Sequence, residues 1–107
     1  MEQGDQQAVD AVILARLRER SRDALTLLVN THGERLTRAA WLYLGDAHAA
    51  QDAAQDALIA AWDGAGRTTQ QTVLGAWLMG ILINCCRKQV RAATRRRPLS
   101  ALAIRWA

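Results

Sequence analysis

The sequence predicts an all-α protein, a compact bundle of about four helices with a long loop before the last one. Three observations point there. Hydrophobic residues make up 50% of the 107 positions, yet much of that fraction is alanine and Phe is absent. That mix suits helices packed closely through small side chains rather than a sheet. One proline and seven glycines leave room for long uninterrupted helices. Apolar residues also recur at spacings of three and four, the period of one helix face. The length fits a single domain with a modest core.

Residues 1–7 are polar and read as a frayed lead-in. From Asp10 to Arg20 a short amphipathic helix places Ile13, Leu14 and Leu17 on one face. Ser21 can cap the next helix, with Asp23 favourable in its first turn. That second helix is predicted from about Arg22 to Leu44, with an inner stripe of Ala24, Leu25, Leu28, Val29, Leu36, Ala39, Ala40 and Tyr43. Gly33 interrupts it at a cost of about 1 kcal/mol relative to alanine, and marks either a kink or a close helix contact. Gly45-Asp46 is strong punctuation: a glycine that ends one helix, then an aspartate that caps another. The third helix runs from about Ala47 to Trp62, with Ala50, Ala54, Ala57, Leu58, Ala61 and Trp62 inward and Gln51, Asp52, Gln55, Asp56 and Asp63 outward.

The stretch from Asp63 to Thr72 reads as a loop of about ten residues, longer than usual between helices and rich in Gly, Thr and Gln. Thr72 can cap a fourth helix from Val73 to about Thr94. Its core side carries Leu74, Trp77, Leu78, Ile81, Leu82 and Cys85, with Cys86 partly exposed. Trp77, Trp41, Tyr43 and Trp62 are assigned to core or edge packing. Asn84, Arg87, Lys88 and Arg91 follow at i, i+3, i+4 and i+7, one polar and cationic stripe.

Charge is segregated along the chain. Residues 1–63 hold all ten acidic residues and six basic ones; residues 64–107 hold eight basic residues and no acid. Such asymmetry suits a basic end that faces a polyanion and an acidic end that faces another partner; two merely solvated faces are the plain alternative. The N-terminus lacks the features of a signal peptide. The longest apolar run, Ala76 to Ile83, is far short of the roughly 20 residues that span a bilayer, so no membrane role and a cytoplasmic location are expected. Cys85 and Cys86 are adjacent and point about 100° apart on a helix, which argues against a mutual disulfide. Neither they nor His32 and His48 have a recognised metal-ligand spacing. No nucleophile–base set or phosphate-binding glycine loop is evident, and an enzyme, a cofactor and a metal are not expected.

Several pieces in order carry a family resemblance, which covers about residues 10–97. They are Asp23-Ala-Leu25-x-x-Leu28-Val; Leu44-Gly45-Asp46 followed by Ala50-Gln-Asp52-Ala-Ala-Gln55-Asp56-Ala-Leu58-Ile-Ala-Ala-Trp62; and Leu74-Gly-Ala-Trp77-Leu78-x-x-Ile81-x-x-Asn84 with its trailing cations. Together these resemble region 2 of bacterial sigma factors of the extracytoplasmic-function group, the domain that binds core RNA polymerase and melts the promoter. The resemblance implies that the third helix grips the clamp helices of the polymerase largest subunit through Asp52, Gln55, Asp56 and Leu58. It implies that the fourth helix and the loop capture an unpaired base of the minus-ten promoter element from the non-template strand. Asn84 would then contact base or backbone. The loop Gly64–Thr72, with Arg67, Thr68 and Thr69, would wall the base pocket, and Arg87, Lys88, Arg91 and Arg95 would hold phosphates. Gln51 stands where the family often has Glu, and the loop lacks the aromatic residue of many relatives.

The resemblance further implies an anti-sigma factor as a possible partner. Family members also carry a C-terminal helix-turn-helix domain that reads the minus-thirty-five element. The domain is expected to span residues 8–97, with 98–107 a linker or partner-binding tail and no helix-turn-helix domain in this chain; either the domain is a part of a longer protein, or a separate chain supplies the second half. The alternative from another class is a protein-interaction adaptor or regulator-binding helical module without direct DNA contact.

Overall fold

The computed structural model describes residues 2–96. Four α-helices follow one another: α1 Glu2–Arg18, α2 Arg22–Leu44, α3 Ala47–Gly64 and α4 Leu74–Arg96, with a single 3-10 turn, Ala65–Arg67, after α3. The described residues contain no strand. The predicted tail, Arg97 and residues 98–107, lies outside them. Among the described residues no helix is long and apolar enough to cross a membrane.

Helix α1 starts eight residues before the expected Asp10. Its first two turns are polar, with three Gln beside Glu2, Gly4 and Asp5, and carry no apolar stripe to reveal them. Gln6 Nε2 bonds Asp10 Oδ1 four residues on, at 2.8 Å. Ile13, Leu14 and Leu17 are buried as expected. The helix ends in a Schellman turn: Ser21 N–H donates to Arg16 O at 3.1 Å and Arg20 N–H to Leu17 O at 3.0 Å. Arg20 adopts a φ of 64° there, a left-handed conformation that costs a non-glycine residue about 1 kcal/mol. Its side chain compensates by reaching across to α3: the guanidinium sits 3.9 Å from the Trp62 ring centroid and donates to Trp62 O.

Ser21 caps α2 by accepting from Ala24 N at 3.3 Å. Gly45, at φ 68°, closes α2 through its N–H to Trp41 O, and Asp46 caps α3 by accepting from Ala49 N. The buried residues of α2 are Ala24, Leu28, His32, Leu36 and Ala40. Their constant step of four winds about 40° around the helix each time, so α2 crosses the bundle obliquely. That drift leaves Val29, Trp41 and Tyr43 exposed, contrary to the inner stripe expected for Val29 and Tyr43 and the packing expected for Trp41. At Gly33 an added Cβ would meet only Val29 Cγ1, at 3.7 Å; the glycine serves no close helix contact.

Helix α3 is the central strut, packed against both α2 and α4. Its inner face is alanine throughout: Ala50, Ala53, Ala54, Ala57 and Ala61 are all buried, which lets the neighbouring helices approach closely. Leu58 and Trp62 are only partly buried at its edge. Helix and 3-10 turn together absorb residues 63–67, so the irregular connection shrinks from the expected ten residues to 68–73. Thr72 does not cap α4; its Oγ1 accepts from Thr69 N at 3.0 Å inside the loop. Along α4, Leu74, Leu78, Leu82, Cys85 and Cys86 are buried, which corrects the partial exposure expected for Cys86.

Candidate nucleic-acid interface

The end of α3, the 3-10 turn, the loop and the middle of α4 enclose a cleft of about 460 Å³. From α4 it takes Trp77, Ile81, Asn84, Cys85 and Lys88, which recur at helical spacing on one face. From α3 it takes Ala60 and Gly64, and from the connection Arg67, Thr68 and Thr72. The glycine leaves room in the cleft: a Cβ at Gly64 would lie 3.3 Å from Arg67 Nη2, the flexible end of that side chain, and 3.5 Å from Trp77 Cζ2. The cleft is therefore bounded by an aromatic ring on one side, small residues along its floor and hydroxyls on the loop wall. Its rim carries an amide and two cations.

The loop wall is stitched by local bonds. Thr68 Oγ1 donates to Ala65 O at 2.6 Å, and Thr68 N–H donates to the same oxygen. Thr72 N–H donates to Thr69 O at 3.1 Å, reciprocating the Thr69 N–H bond to Thr72 Oγ1. Thr69 Oγ1 also bridges to the Gln71 side chain and N–H. From α1, Arg18 Nη1 donates to Thr68 Oγ1 at 3.3 Å and Thr69 O at 3.2 Å.

Of the residues expected to face DNA, the structure brings Arg67, Thr68, Asn84 and Lys88 together in the cleft. Thr69 is exposed beside it and is committed to loop bonds. Arg91 and Arg95 are exposed and continue the line of Asn84 and Lys88 along α4, seven and eleven residues past the asparagine. Arg87 is exposed too, but lies about 60° to the side of that line. Trp77 packs partly buried against the edge of the core, as assigned, and its free side also walls the cleft. Its place seven residues before Asn84, on the same face, was the available signal. Arg18, 50 residues from Thr68 in sequence, had none.

Burial pushes the Cys85 thiol above its ordinary value; the Asp56 carboxylate raises it further while Lys88 opposes. Burial, and then Cys85 itself, raise Cys86. Both therefore stay protonated and poorly nucleophilic.

A second, apolar groove of about 350 Å³ runs between α2 and α3, lined by Leu25, Val29, Gln55, Leu58, Ile59 and Trp62. Of the residues expected to face a polymerase, Gln55 and Leu58 border this groove. Asp52 and Asp56 are exposed on the ridge beside it, about 60° and 100° around the helix from Gln55. Ile59 was missed from the sequence because a lone exposed isoleucine on a polar face carries no periodic signal; it is 60% exposed.

Residues 28–96 match the family Sigma-70 region 2. A curated relative, ECF RNA polymerase sigma factor SigM of Mycobacterium tuberculosis, is 33% identical over 90 residues, covering 84% of this chain and 46% of that protein. The chain thus spans less than half the length of this relative. No solved structure matches it.

Proposed function

The chain belongs to the sigma-70 region 2 family, and from that premise we propose that it binds core RNA polymerase through α3 and traps the unpaired minus-ten strand in the α4–loop cleft. The observation that carries the DNA role is the convergence of Arg67, Thr68, Asn84 and Lys88 around an aromatic wall, Trp77. Such a site suits a nucleobase outside the duplex. Stacking on an aromatic ring contributes about 1–3 kcal/mol, and an asparagine amide offers a donor and an acceptor to a base edge. Thr68 and Thr72 hydroxyls supply further partners on the loop wall.

Extruding a base costs a few kcal/mol of unstacking. The cleft offsets that cost only for the open strand, so binding shifts the duplex toward the melted form without any bond being made or broken. Lys88, Arg91 and Arg95 along α4 then hold the phosphates that follow, with Arg87 alongside. About four such contacts give a log–log salt slope near −3 on single strands.

On the other face, the groove between α2 and α3 offers an apolar strip edged by Gln55, with Asp52 and Asp56 on the neighbouring ridge. Apolar contact supplies affinity there, and the carboxylates orient arginines of a partner helix. In this reading the clamp helices of the polymerase largest subunit occupy it. An anti-sigma factor that covers the same surfaces, and a separate chain that supplies the minus-thirty-five-reading domain, belong to the same proposal, as does a cytoplasmic location.

The test is binding of single-stranded minus-ten oligonucleotides and of a clamp fragment. Asn84→Ala with Lys88→Ala should weaken the first, and Gln55→Ala with Leu58→Ala the second. A domain that holds the clamp fragment but no oligonucleotide at any salt concentration would instead be a protein-interaction module.

A further inference from the structure

The loop that walls the cleft is pinned at its start, where Thr68 N–H and Oγ1 both donate to Ala65 O, but beyond Thr68 it has little of its own to hold it in place. Thr69, Gln70, Gln71 and Val73 are exposed and only Thr68 and Thr72 are partly buried. The bonds between Thr69 and Thr72 close the loop on itself but do not locate it against α4. Behind its second half, toward α1, lies a crevice of about 210 Å³ lined by Gln7, Asp10 and Ala11, by residues 70–73 of the loop and by Leu74. That half of the loop therefore has open space to retreat into.

Among the described residues, Arg18 is the single side chain of another element that bonds residues 68–73. One nitrogen of its guanidinium, Nη1, reaches both Thr68 Oγ1 and Thr69 O, at 3.3 and 3.2 Å. Those acceptors are the cleft-lining hydroxyl and the carbonyl on which the loop closes. Arg18 is half-buried at the last turn of a packed helix, so the donor itself is held. A charged donor shared by two neutral acceptors makes a stronger tie than a neutral one.

We propose that Arg18 is a positioning residue: it ties α1 to the loop, holds Thr69 beside the Ala65-anchored Thr68 and orients the Thr68 hydroxyl at the cleft wall, and thereby sets how sharply the cleft discriminates between bases. This inference rests on the single-strand reading of the cleft. It assigns a part in recognition to α1, which lies outside the matched residues 28–96. Arg18 touches no base in this role; it acts through Thr68 and Thr69.

The experiment uses the full chain as wild type, Arg18→Gln and Arg18→Lys. Each is incubated with a pool of single-stranded DNA decamers randomised at every position, and the bound fraction is sequenced at several salt concentrations. Hydrogen exchange at the Thr69 and Thr72 amides is followed in parallel, with melting as a check on the fold. Arg18→Gln is expected to speed exchange at both amides and to flatten the wild-type base preference by about tenfold or more, the worth of one charged-donor bond. Its salt slope should not change, and Arg18→Lys, which keeps a charged donor, should restore part of the preference.

Unchanged loop exchange, or faster exchange with an intact base preference, overturns the proposal. So does a uniform loss of affinity with a shallower salt slope, because that marks a direct phosphate contact. If Arg18→Gln does not fold, Arg18→Lys decides it by the same two readouts, with a smaller change expected in each. A wild type that enriches no sequence refutes the single-strand reading itself, whatever the loop amides do, so the two failures are distinguishable.

Discussion

The imidazole of His32 and the carboxylate of Asp10 meet inside the bundle, with Nε2 2.8 Å from Oδ1. Only 3% of the histidine and 8% of the aspartate is exposed. Gln6 Nε2 bonds the same Oδ1, so α1 and α2 are joined by a polar contact beneath their apolar one. Buried polar pairs of this kind add little net stability when complete, and cost much when one member is removed.

Asp10→Leu and His32→Leu are each expected to destabilise the fold by about 1–3 kcal/mol, since the first leaves His32 without its partner and the second leaves Asp10 with Gln6 alone. The double variant should lose at least about 1 kcal/mol less than the sum of the two. Urea unfolding of all four proteins measures this, and additive losses would show that the contact is incidental.

Gly33→Ala should stabilise the protein by about 0.5–1 kcal/mol. Its site is interior to α2, and an added Cβ finds ordinary contact, so the gain is the helix propensity of alanine over glycine. In a domain of this size that corresponds to a rise in melting temperature of roughly 2–8 °C. A lower melting temperature would reveal a demand on that backbone which the geometry does not.

Gly64→Ala should separate stability from function. The added methyl displaces the flexible end of Arg67 and stands 3.5 Å from the Trp77 ring, so the fold keeps its melting temperature while the cleft narrows. Affinity for single-stranded minus-ten DNA should fall about tenfold, with no change in binding to a polymerase clamp fragment. Titration by fluorescence anisotropy checks the first and pull-down the second.

Stability should decline in alkaline solution through the two cysteines. Their thiols bind protons more tightly in the folded state than in the unfolded one, because burial raises both. That contribution is intact below the unfolded thiol value of about 8.5 and is lost as pH climbs through the raised folded values. The double variant Cys85→Ala, Cys86→Ala should show a shallower fall above that point when melting is followed against pH. Equal slopes would mean that other groups dominate.

Helix boundaries marked by local chemistry were legible in the sequence, and the placement of the cleft wall was not. Ser21, Gly45 and Asp46 act within three or four residues of themselves, so their roles could be read from neighbours alone. The stripe of α4 was legible in the same way, since Asn84 and Lys88 share a face by spacing. The early turns of α1 escaped because a polar, Gln-rich stretch with little to bury has no apolar period. His32 sits in the run Leu28, His32, Leu36, whose constant step of four was the visible sign that it is inside. Trp77 was assigned inward because it keeps register with buried leucines, yet the absent side chain at Gly64 opens the space that makes it a wall. The link from Arg18 to Thr68 depends on two helices meeting, and nothing local encodes it.

The brace formed by α1 changes what counts as the smallest working unit. Cutting the chain back to the matched stretch 28–96 would remove Arg18 and Arg20 together, and Asp10 with them. It would also strip away Ile13, Leu14 and Leu17, all buried in the core. The remainder would show water an oily seam with a stranded imidazole beside it, and its cleft would keep every residue that lines it yet lose the prop behind its wall. A fragment of that kind would retain the family's signature while forfeiting the shape the signature depends on.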